Sequence, residues 1–376
     1  MKKIMAVFGT RPEAIKMCPV VLELKTREDL QTVVCVTGQH REMLDQILHV
    51  FNVKPDYDLS IMKPNQTLYN ITADVLMGMD AVLEKEKPEV VLVHGDTTTS
   101  FAAALACFYR QIQVGHVEAG LRSYNMYSPY PEEFNRQAVD IIADYYFAPT
   151  PMARDNLLGE GKPEQKIFVT GNTAIDALNV TIRPNYHHPI LDWASDSKLI
   201  LLTAHRRENL GEPMRSMFRG IKRVIQEHPD CKVIYPIHKN PVVRAAANEV
   251  FGEMDQIRMI EPLDVIDFHN FMSKAHFIMT DSGGIQEEAP SLGKPVLVMR
   301  DTTERPEGIE ANTLKLVGTS EEVVYAQAQR MLNDKDEYEK MSKASNPYGD
   351  GFASQRIVDI LEGKGPKRDN FFVQKA

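Results

Sequence analysis

Short apolar runs alternate with longer amphipathic segments along most of the chain, and this alternation is the strongest constraint on its fold. Runs such as KIMAVFG, EVVLVHGD and KLILLTAH are rich in Val, Ile and Leu. Such runs are typical of strands buried on both faces of a parallel sheet. The segments between them, such as 67–86 and 97–110, have the pattern of helices. The sequence therefore predicts an α/β fold with doubly wound parallel sheets.

The length of the chain, together with a break in the alternation, predicts two Rossmann-like domains. A chain of 376 residues exceeds the size at which one hydrophobic core usually stays undivided. We expect a ligand cleft where the carboxyl ends of the strands of the two domains face each other. We expect a first domain at 1–170, a linker at 171–197 and a second domain at 198–351. A helix at 352–364 should pack back on the first domain, and a tail should follow at 365–376.

Composition excludes several classes of function. The formal net charge of −9 provides no global positive field, so we expect neither a nucleic-acid partner nor a membrane-surface partner. The four cysteines form no C-x-x-C pair, which predicts buried thiols and no metal site. No G-x-G-x-x-G or GxxxxGK[ST] motif is present, so no dinucleotide cofactor is expected. Without a signal peptide or a membrane-spanning run, the chain is expected to be cytoplasmic.

Charged residues of the first domain follow the predicted strands at the points where the strands end. Arg11 and Lys16 lie in GTRPEAIK and are expected to reach an anion at a helix start. Asp96, Glu118 and Glu132 lie in HGDTTTS, HVEAGLRS and PEEFNR. Each acid alone has a structural alternative, as an N-cap or as a partner of a helix dipole. Together, on neighbouring loops of one sheet, they predict acid–base chemistry, with at least one carboxyl pKa raised by crowding.

The second domain presents cations, a histidine pair and a glycine pair at its strand ends. These residues are His205, Arg206, His238, Ser282, Gly283, Gly284 and Arg305. Adjacent glycines before a helix indicate backbone N–H groups that receive an anion. Glu287 and Glu288 follow in DSGGIQEEAP, although an anionic ligand would avoid acids. A ligand that is anionic at one end and rich in hydroxyl groups at the other would resolve this conflict: we expect Glu288, one turn after Gly284, to accept hydrogen bonds from its hydroxyl groups, and Glu287, rotated about 100° away, to be structural.

These motifs, in this order and at these intervals, resemble the non-hydrolysing UDP-N-acetylglucosamine 2-epimerases of bacteria. The resemblance covers nearly the whole chain and implies the two-domain GT-B architecture and a homodimer. It implies interconversion of UDP-GlcNAc and UDP-ManNAc without NAD or metal, supplying ManNAc for surface polysaccharide. The implied route is anti elimination of UDP to 2-acetamidoglucal, followed by re-addition with a proton delivered to the other face of C2.

The same resemblance implies three groups of site residues. The catalytic residues are Asp96, Glu118, Glu132 and His205, without an assignment of each acid to a face of the sugar. Those that bind UDP are Arg11, Lys16, Ser282, Gly283, Gly284, Glu288 and Arg305. A second, allosteric UDP-GlcNAc would contact Gln39, Arg206 and His238. Glu42 and Asn65 stand where some members carry Gln and Arg, so the allosteric pocket departs from the family pattern.

Three alternative functions share many of these residues. A GT-B glycosyltransferase would use the same UDP-binding residues but pass the sugar to an acceptor. A hydrolysing epimerase would release free ManNAc and UDP, and a nucleotide-sugar sensor would have no reaction. Three carboxylates exceed what sugar transfer usually needs, and a sensor could dispense with them, so the pattern favours the epimerase.

Overall fold

The computed structural model describes residues 1–38 and 41–365, without the side chains of Arg41 and Glu42. The chain divides into two compact units. Unit 1 contains Met1–Val180 and the chain from Tyr348 onwards, and unit 2 contains Thr181–Pro347. The predicted tail beyond Gly365 lies outside the described residues.

Unit 1 is built on a parallel sheet in which the described residues form seven strands. The strands are β1 (Lys2–Phe8), β2 (Leu30–Val36), β3 (Tyr57–Asp58), β4 (Val90–His94), β5 (Gln113–Val117), β6 (Tyr145–Ala148) and β7 (Ile167–Val169). Their order across the sheet is β3-β2-β1-β4-β5-β6-β7. Residues Ile4 to Phe8 of β1 are fully buried, as expected for a central parallel strand covered on both faces.

Helices connect these strands, as parallel pairing requires. They are α1 (Arg11–Lys25), α2 (Arg41–Val50), α3 (Leu68–Glu86), α4 (Thr98–Tyr109), α5 (Glu132–Ile142), α6 (Pro151–Gly159) and α7 (Thr173–Thr181), with a short 3-10 helix at Glu164–Lys166. The helices predicted at 67–86 and 97–110 correspond to α3 and α4.

Unit 2 repeats this plan with six described strands, all parallel. The strands are β8 (Lys198–Thr203), β9 (Cys231–Pro236), β10 (Ile257–Ile260), β11 (Phe277–Thr280), β12 (Val296–Val298) and β13 (Leu314–Leu316), in the order β10-β9-β8-β11-β12-β13. Two doubly wound parallel-sheet α/β units were predicted from the sequence, and the structure confirms them.

The helices of unit 2 are mostly short connections between these strands. They are α8 (Pro189–Trp193), α9 (Glu212–Glu227), α10 (Pro241–Phe251), α11 (Val265–Lys274), α12 (Gly283–Glu288), α13 (Pro306–Glu310), α14 (Glu321–Asn333) and α15 (Lys335–Ser342), with 3-10 helices at Arg207–Asn209 and Ala289–Leu292. The segment 171–197, interpreted above as a linker, contains α7 and α8 and divides between the two units. Among the described residues, no helix is both long and apolar enough to cross a membrane.

The strand order places one switch point in each sheet. In unit 1 the order reverses between β1 and β4, and in unit 2 it reverses between β8 and β11. Loops that leave the carboxyl ends of two such strands run to opposite faces of the sheet and leave a crevice, where ligands of open α/β sheets bind. The loops after β1, β4, β8 and β11 are therefore the first places to look for a site.

The last helix, α16 (Ala353–Leu361), returns the chain to unit 1. It packs against α1, and Arg27, two residues after the end of α1, forms an ion pair with Asp359 at 2.9 Å. The buried carboxylate of Asp176 accepts a hydrogen bond from the backbone N–H of Ser354 at 2.6 Å, in the first turn of α16. Burial raises the pKa of Asp176 to about 6, although the hydrogen bonds from the start of α16 act to lower it.

We expect the pH dependence of stability to change in the Asp176→Asn variant. Because the pKa of Asp176 is raised in the folded state, its contribution to stability is present below about pH 4 and is lost as the pH rises through about 6. The free energy of unfolding of the wild type, relative to Asp176→Asn, should fall by about 2–3 kcal/mol between these limits. Urea unfolding at a series of pH values measures this, with the exposed Asp155→Asn as a control. Parallel pH profiles for the wild type and Asp176→Asn would contradict it.

Candidate active site

A buried carboxylate joins the two loops at the switch point of unit 1. Glu13 accepts hydrogen bonds from the backbone N–H groups of Gly9 at 3.0 Å and Thr10 at 2.7 Å. Its other oxygen accepts from the hydroxyl groups of Thr97 at 2.7 Å and Ser100 at 3.1 Å. The loop after β1 is thereby fastened to the loop after β4.

Arg11 and Lys16 project from the first turns of α1, directly after this fastened loop. Since Glu13 is occupied by loop donors, it does not neutralise Arg11. Arg11 is half-buried and has no ion-pair partner in the part of the chain that the structure describes. Lys16 forms an ion pair with Glu118. The start of α1 therefore presents one guanidinium without an internal counter-ion.

Glu118 follows β5 and has a left-handed backbone, with φ of 68°. Its Oε2 accepts hydrogen bonds from Lys16 Nζ and from Asn172 Nδ2, the latter at 3.2 Å. His94 Nε2 lies 3.6 Å from the same oxygen. Burial tends to raise the pKa of Glu118, but the nearby Lys16 and His94 outweigh it and hold the pKa well below its ordinary value. The sequence predicted a raised pKa for at least one of the three acids, and Glu118 is not that acid, because Lys16 and His94 lie beside it.

Asp96 lies in the loop after β4, and its carboxylate is not used as a helix cap. Thr97 is the N-cap of α4, since its side chain accepts from the N–H of Ser100. Asp96 Oδ2 instead accepts from Arg136 Nη2 at 2.6 Å. Asn135 of α5 donates to the carbonyl of Asp96 at 2.9 Å, which brings the start of α5 to this loop. Asp96 thus stays half-buried with a cation beside it.

Glu132 and Glu133 are neighbours in the first turn of α5 but have different surroundings. Glu133 is buried, and its carboxylate accepts from the backbone N–H groups of Ser123 at 2.9 Å and Tyr124 at 3.0 Å. Glu132 is half-buried and forms neither a hydrogen bond nor an ion pair with any described residue. Only Glu132 of this pair is free to interact with a ligand.

A second buried network supports the loop that carries Asp96. His116 of β5 is fully buried, with Nε2 at 2.7 Å from the carbonyl of Gly95 and Nδ1 at 2.6 Å from Asp140. Both of these partners are hydrogen-bond acceptors, so the ring is held on two sides. Arg122 donates to the other oxygen of Asp140 at 2.8 Å. This network fixes Gly95, the residue before Asp96.

Asp281 organises the switch point of unit 2. It follows β11 and is fully buried, and its Oδ2 accepts from the backbone N–H groups of His205 and Arg206, both at 2.9 Å. Asn209 donates to the same oxygen at 3.2 Å. The loop after β8 is thereby held against the loop after β11, as Glu13 holds the two loops of unit 1.

His205 is oriented by this loop and stacks on His238. The two rings have centroids 5.4 Å apart and planes 14° apart. Burial lowers the pKa of His205, and repulsion from His238 and Arg206 adds to this effect, although Asp281 opposes it. His205 is therefore a neutral imidazole at pH 7. Its charge can respond to an anion that binds nearby.

Arg206 and Arg305 flank Gly283 at the start of α12. A Cβ atom added at Gly283 would lie 3.6 Å from Arg206 Nη2 and 3.7 Å from Arg305 Nη2. Glu287 is buried and accepts a hydrogen bond from Arg305 Nε, which holds this guanidinium beside the glycine. The hydroxyl of Ser282 makes no capping hydrogen bond. Of the residues predicted to bind UDP, Gly283 and Arg305 thus lie together at the start of α12, and Arg206 adjoins them.

Glu288 and Glu287 differ in the groups around them as well as in the direction in which the helix points them. Its carboxylate is half-buried and lies 3.6 Å from His269 Nε2. The buried His269 is in turn held through Nδ1 by the hydroxyl of Thr181 at 2.7 Å. Glu287 binds an arginine, whereas Glu288 keeps an oxygen available.

Two further predictions concern the allosteric pocket and metals. Gln39 lies outside the described residues, whereas Arg206 and His238 adjoin Gly283 and His205. Among described residues, His228, Asp230 and Cys231 are the set that brings three potential metal ligands within 4.8 Å of one another. Burial raises the pKa of the Cys231 thiol to about 12, so it stays protonated, which disfavours metal binding. This set lies where β9 begins, at the opposite end of the sheet from His205.

Comparison with known proteins places the chain in a family. The family model described as UDP-N-acetylglucosamine 2-epimerase matches residues 22–362. The UDP-N-acetylglucosamine 2-epimerase of Bacillus subtilis (strain 168) is 64% identical over 359 residues, which cover 96% of this chain and 94% of that protein. The chain belongs to the UDP-N-acetylglucosamine 2-epimerase family.

Solved structures of 2-epimerases agree with this assignment. A putative UDP-N-acetylglucosamine 2-epimerase from Listeria monocytogenes has a TM-score of 0.94 and 54% identity, covering 99% of this chain and all of that one. A UDP-GlcNAc 2-epimerase from Neisseria meningitidis, solved bound to UDP-GlcNAc, has a TM-score of 0.86 and 49% identity, covering 96% of this chain and all of that one. The resemblance seen in the sequence and the GT-B type of fold are confirmed.

Several residues of this 2-epimerase support the site although the sequence analysis did not single them out. Glu13 and Asp281 fasten the loops, His116 fixes Gly95, and His94 adjoins Glu118. One signal was available for Glu13, since Thr10 and Glu13 have the T-x-x-E spacing of a capping box. The others depend on contacts between distant segments, which spacing does not reveal.

The two adjacent acids of α5 should differ in their effect on the stability of this 2-epimerase. Glu133→Gln replaces a buried carboxylate oxygen that accepts a backbone N–H by an amide group that cannot accept it, so the free energy of unfolding should fall by about 1–3 kcal/mol. Glu132→Gln loses no internal bond and should change it by less than about 0.5 kcal/mol. Thermal or urea unfolding of both variants measures this. A larger loss for Glu132→Gln would contradict it.

Proposed function

We propose that this family member epimerises UDP-GlcNAc at C2 to UDP-ManNAc, reversibly and without net hydrolysis. The observation that carries the proposal is the set of Asp96, Glu118 and Glu132 at neighbouring loops of one sheet. Glu132 has no hydrogen-bond or ion-pair partner among the residues described above, and Asp96 and Glu118 each lie beside a cation. The Neisseria relative, solved with UDP-GlcNAc bound, supports the substrate class.

The chemistry of C2 requires more than one acid–base group. The C2 proton of the sugar is not next to a carbonyl, so direct deprotonation would be too costly. Anti elimination of UDP gives 2-acetamidoglucal, and re-addition of UDP with a proton on the other face of C2 gives the epimer. This route needs a base, an acid on the opposite face and stabilisation of the leaving diphosphate. Carboxylates on separate loops can serve opposite faces of one ring.

The proposed UDP-binding residues supply charge where the leaving group needs it. Arg11 and Lys16 of unit 1, and Ser282, Gly283, Gly284 and Arg305 of unit 2, provide cations, N–H groups and a hydroxyl for phosphate oxygens. Glu288 provides an acceptor for ribose hydroxyls. His205, a neutral imidazole at pH 7, can donate a hydrogen bond to the departing diphosphate and respond to its charge.

Regulation, location and pathway are further parts of the proposal. Arg206 and His238, together with Gln39, would bind a second UDP-GlcNAc next to the active site as an allosteric activator. We propose a cytoplasmic enzyme without metal or nicotinamide cofactor, whose product supplies ManNAc for surface polysaccharide.

The reaction can be followed by proton NMR in deuterium oxide with UDP-GlcNAc as the sole substrate. We expect UDP-ManNAc with deuterium at C2, because the returning proton comes from solvent-exchanged acids. Free ManNAc and UDP as main products would indicate the hydrolysing type. Turnover only after an acceptor is added would indicate a glycosyltransferase, and no turnover with retained binding would indicate a sensor.

The adjacent acids of α5 provide a matched control for this assay. Glu132→Gln should lower kcat by at least about 100-fold while leaving the affinity for UDP within about threefold. Glu133→Gln, measured below its unfolding midpoint, should retain far more activity, because Glu133 is buried and bonded to backbone.

A homodimer is also part of the proposal, and the helical face of unit 1 is its candidate interface. Large apolar side chains are exposed on the adjacent helices α3, α4 and α5, including Tyr69, Met77, Tyr109 and Ile141, which are 67–88% exposed. Exposed apolar patches of this kind are typical of protein–protein interfaces. We propose that a second copy of the chain covers this face.

Substitution of Ile141 by a charged residue should weaken the dimer. Ile141→Asp places a carboxylate in the proposed apolar interface, which costs desolvation without a partner. Light scattering coupled to gel filtration should show a dimer for the wild type and a shift to monomer for the variant. Val323→Asp, on α14 of unit 2, alters an exposed apolar residue elsewhere and is the control. A dimer unchanged by both Ile141→Asp and Tyr109→Asp would place the interface elsewhere.

A further inference from the structure

His94 is a buried histidine whose Nε2 has no hydrogen-bond partner in the part of the chain that the structure describes. It ends β4, and its side chain is 6% exposed. Its Nε2 makes no hydrogen bond with the described residues, although it lies 3.6 Å from Glu118 Oε2. Buried polar nitrogens almost always have a partner, so an unpartnered one next to a proposed catalytic acid calls for a physical explanation.

Competition for one oxygen explains why His94 is unpartnered. Glu118 Oε2 already accepts from Lys16 Nζ and from Asn172 Nδ2. A carboxylate oxygen has about two lone-pair directions, so a third donor is held less closely; on Asp281 Oδ2 the third donor, Asn209, lies at 3.2 Å. His94 is therefore held just outside hydrogen-bond range of an oxygen that it faces.

Substrate binding would change this competition. Under the proposed function, Lys16 binds the diphosphate of UDP-GlcNAc. A diphosphate carries more negative charge than one carboxylate, so it attracts the Lys16 ammonium away from Glu118. The vacated position on Oε2 then becomes available to His94, which needs to move by less than 1 Å to reach about 2.9 Å.

We propose that His94 is a positioning residue for Glu118, whose Nε2–H replaces Lys16 on Oε2 when substrate binds. This inference rests on the proposed function. His94 then keeps the carboxylate ionised and oriented towards the sugar during turnover. In the free protein Lys16 has that role, so Glu118 has a cationic or hydrogen-bonding partner in both states.

The charges around Glu118 agree with this exchange. Among described residues, Lys16 from α1 and His94 from β4 are the ionisable groups that face it, and Asn172 adds a neutral donor. Burial opposes ionisation of Glu118, and these two groups overcome that effect and lower its pKa. If Lys16 leaves and His94 is absent, burial prevails and the pKa of Glu118 rises in the complex.

Kinetics of His94→Ala and His94→Gln as a function of pH test the proposal. Since Glu118 protonates at higher pH in the His94→Ala complex, the acid limb of its kcat profile should move up by about one unit or more. The loss in kcat should reach about 10–100-fold at the acid end and shrink at alkaline pH. His94→Gln keeps an N–H near the same place and should recover part of the activity. The affinity of both variants for UDP should stay within about threefold of the wild type. His187→Gln, which replaces an exposed histidine, is the control.

A loss of equal size at every pH, with no recovery in His94→Gln, would mean that His94 only packs, and would overturn the proposal. If His94→Ala does not fold, the pH profile of kcat for His94→Gln decides. The amide of glutamine can donate a hydrogen bond but cannot supply charge, so the acid limb of this profile should shift in the same direction by a smaller amount. A wild type that makes no deuterated UDP-ManNAc would instead refute the proposed function.

An NMR measurement tests the exchange without relying on turnover. In 15N-histidine-labelled protein, the His94 signals are assigned by their loss in His94→Gln. Adding UDP should move the 15Nε2 resonance towards that of a protonated, hydrogen-bonded nitrogen. This change should be absent in Glu118→Gln, which has no carboxylate to attract His94. The same change in Glu118→Gln, or none in the wild type, would overturn the proposal.

Discussion

Buried carboxylates at the two switch points hold the loops on which the candidate active site depends. Glu13 binds backbone N–H groups after β1 and hydroxyl groups after β4, and Asp281 binds the backbone N–H groups of the loop after β8. Loops at a switch point diverge to opposite faces of the sheet and have no ladder bonds of their own. An internal anion can satisfy several of their donors at once. Both units use this device, and Arg11, Asp96, His205 and Gly283 follow or lie in the loops fixed in this way.

Two pairs of adjacent glutamates follow the same division of roles. In Glu132–Glu133 and in Glu287–Glu288, one acid is buried and bonded to groups of its own unit, whereas the other is half-buried with an oxygen available. Neighbours in a helix point about 100° apart, so one can face the interior while the next faces a ligand. The buried acid also holds an arginine in each pair: Glu133 lies 3.5 Å from Arg136, and Glu287 binds Arg305. The structural acid thereby positions a cation of the site.

The sequence predicted much of the fold and many of the residues at the strand ends, but it did not predict the lowered pKa of Glu118. Apolar runs predicted parallel strands because burial on both faces needs no polar alternation. Polar residues at the ends of these runs predicted which edge of each sheet carries the site, because the carboxyl ends of parallel strands lie at the same edge. The prediction from crowding considered only the acids, whereas the pKa of Glu118 is set by Lys16 and His94, which lie on α1 and β4 and are brought to it by the sheet.

By itself, the sequence determined the class of fold, the family and the set of chemical groups, because these depend on local periodicity and on residue types at strand ends. Tertiary structure decided which acids are available and what charge surrounds them. Lys16 and Glu118 are 102 residues apart in the chain, and His116 reaches Gly95 across 21 residues. Contacts between such distant residues arise only when β1, β4 and β5 lie side by side, and electrostatic energies change steeply over those few ångströms.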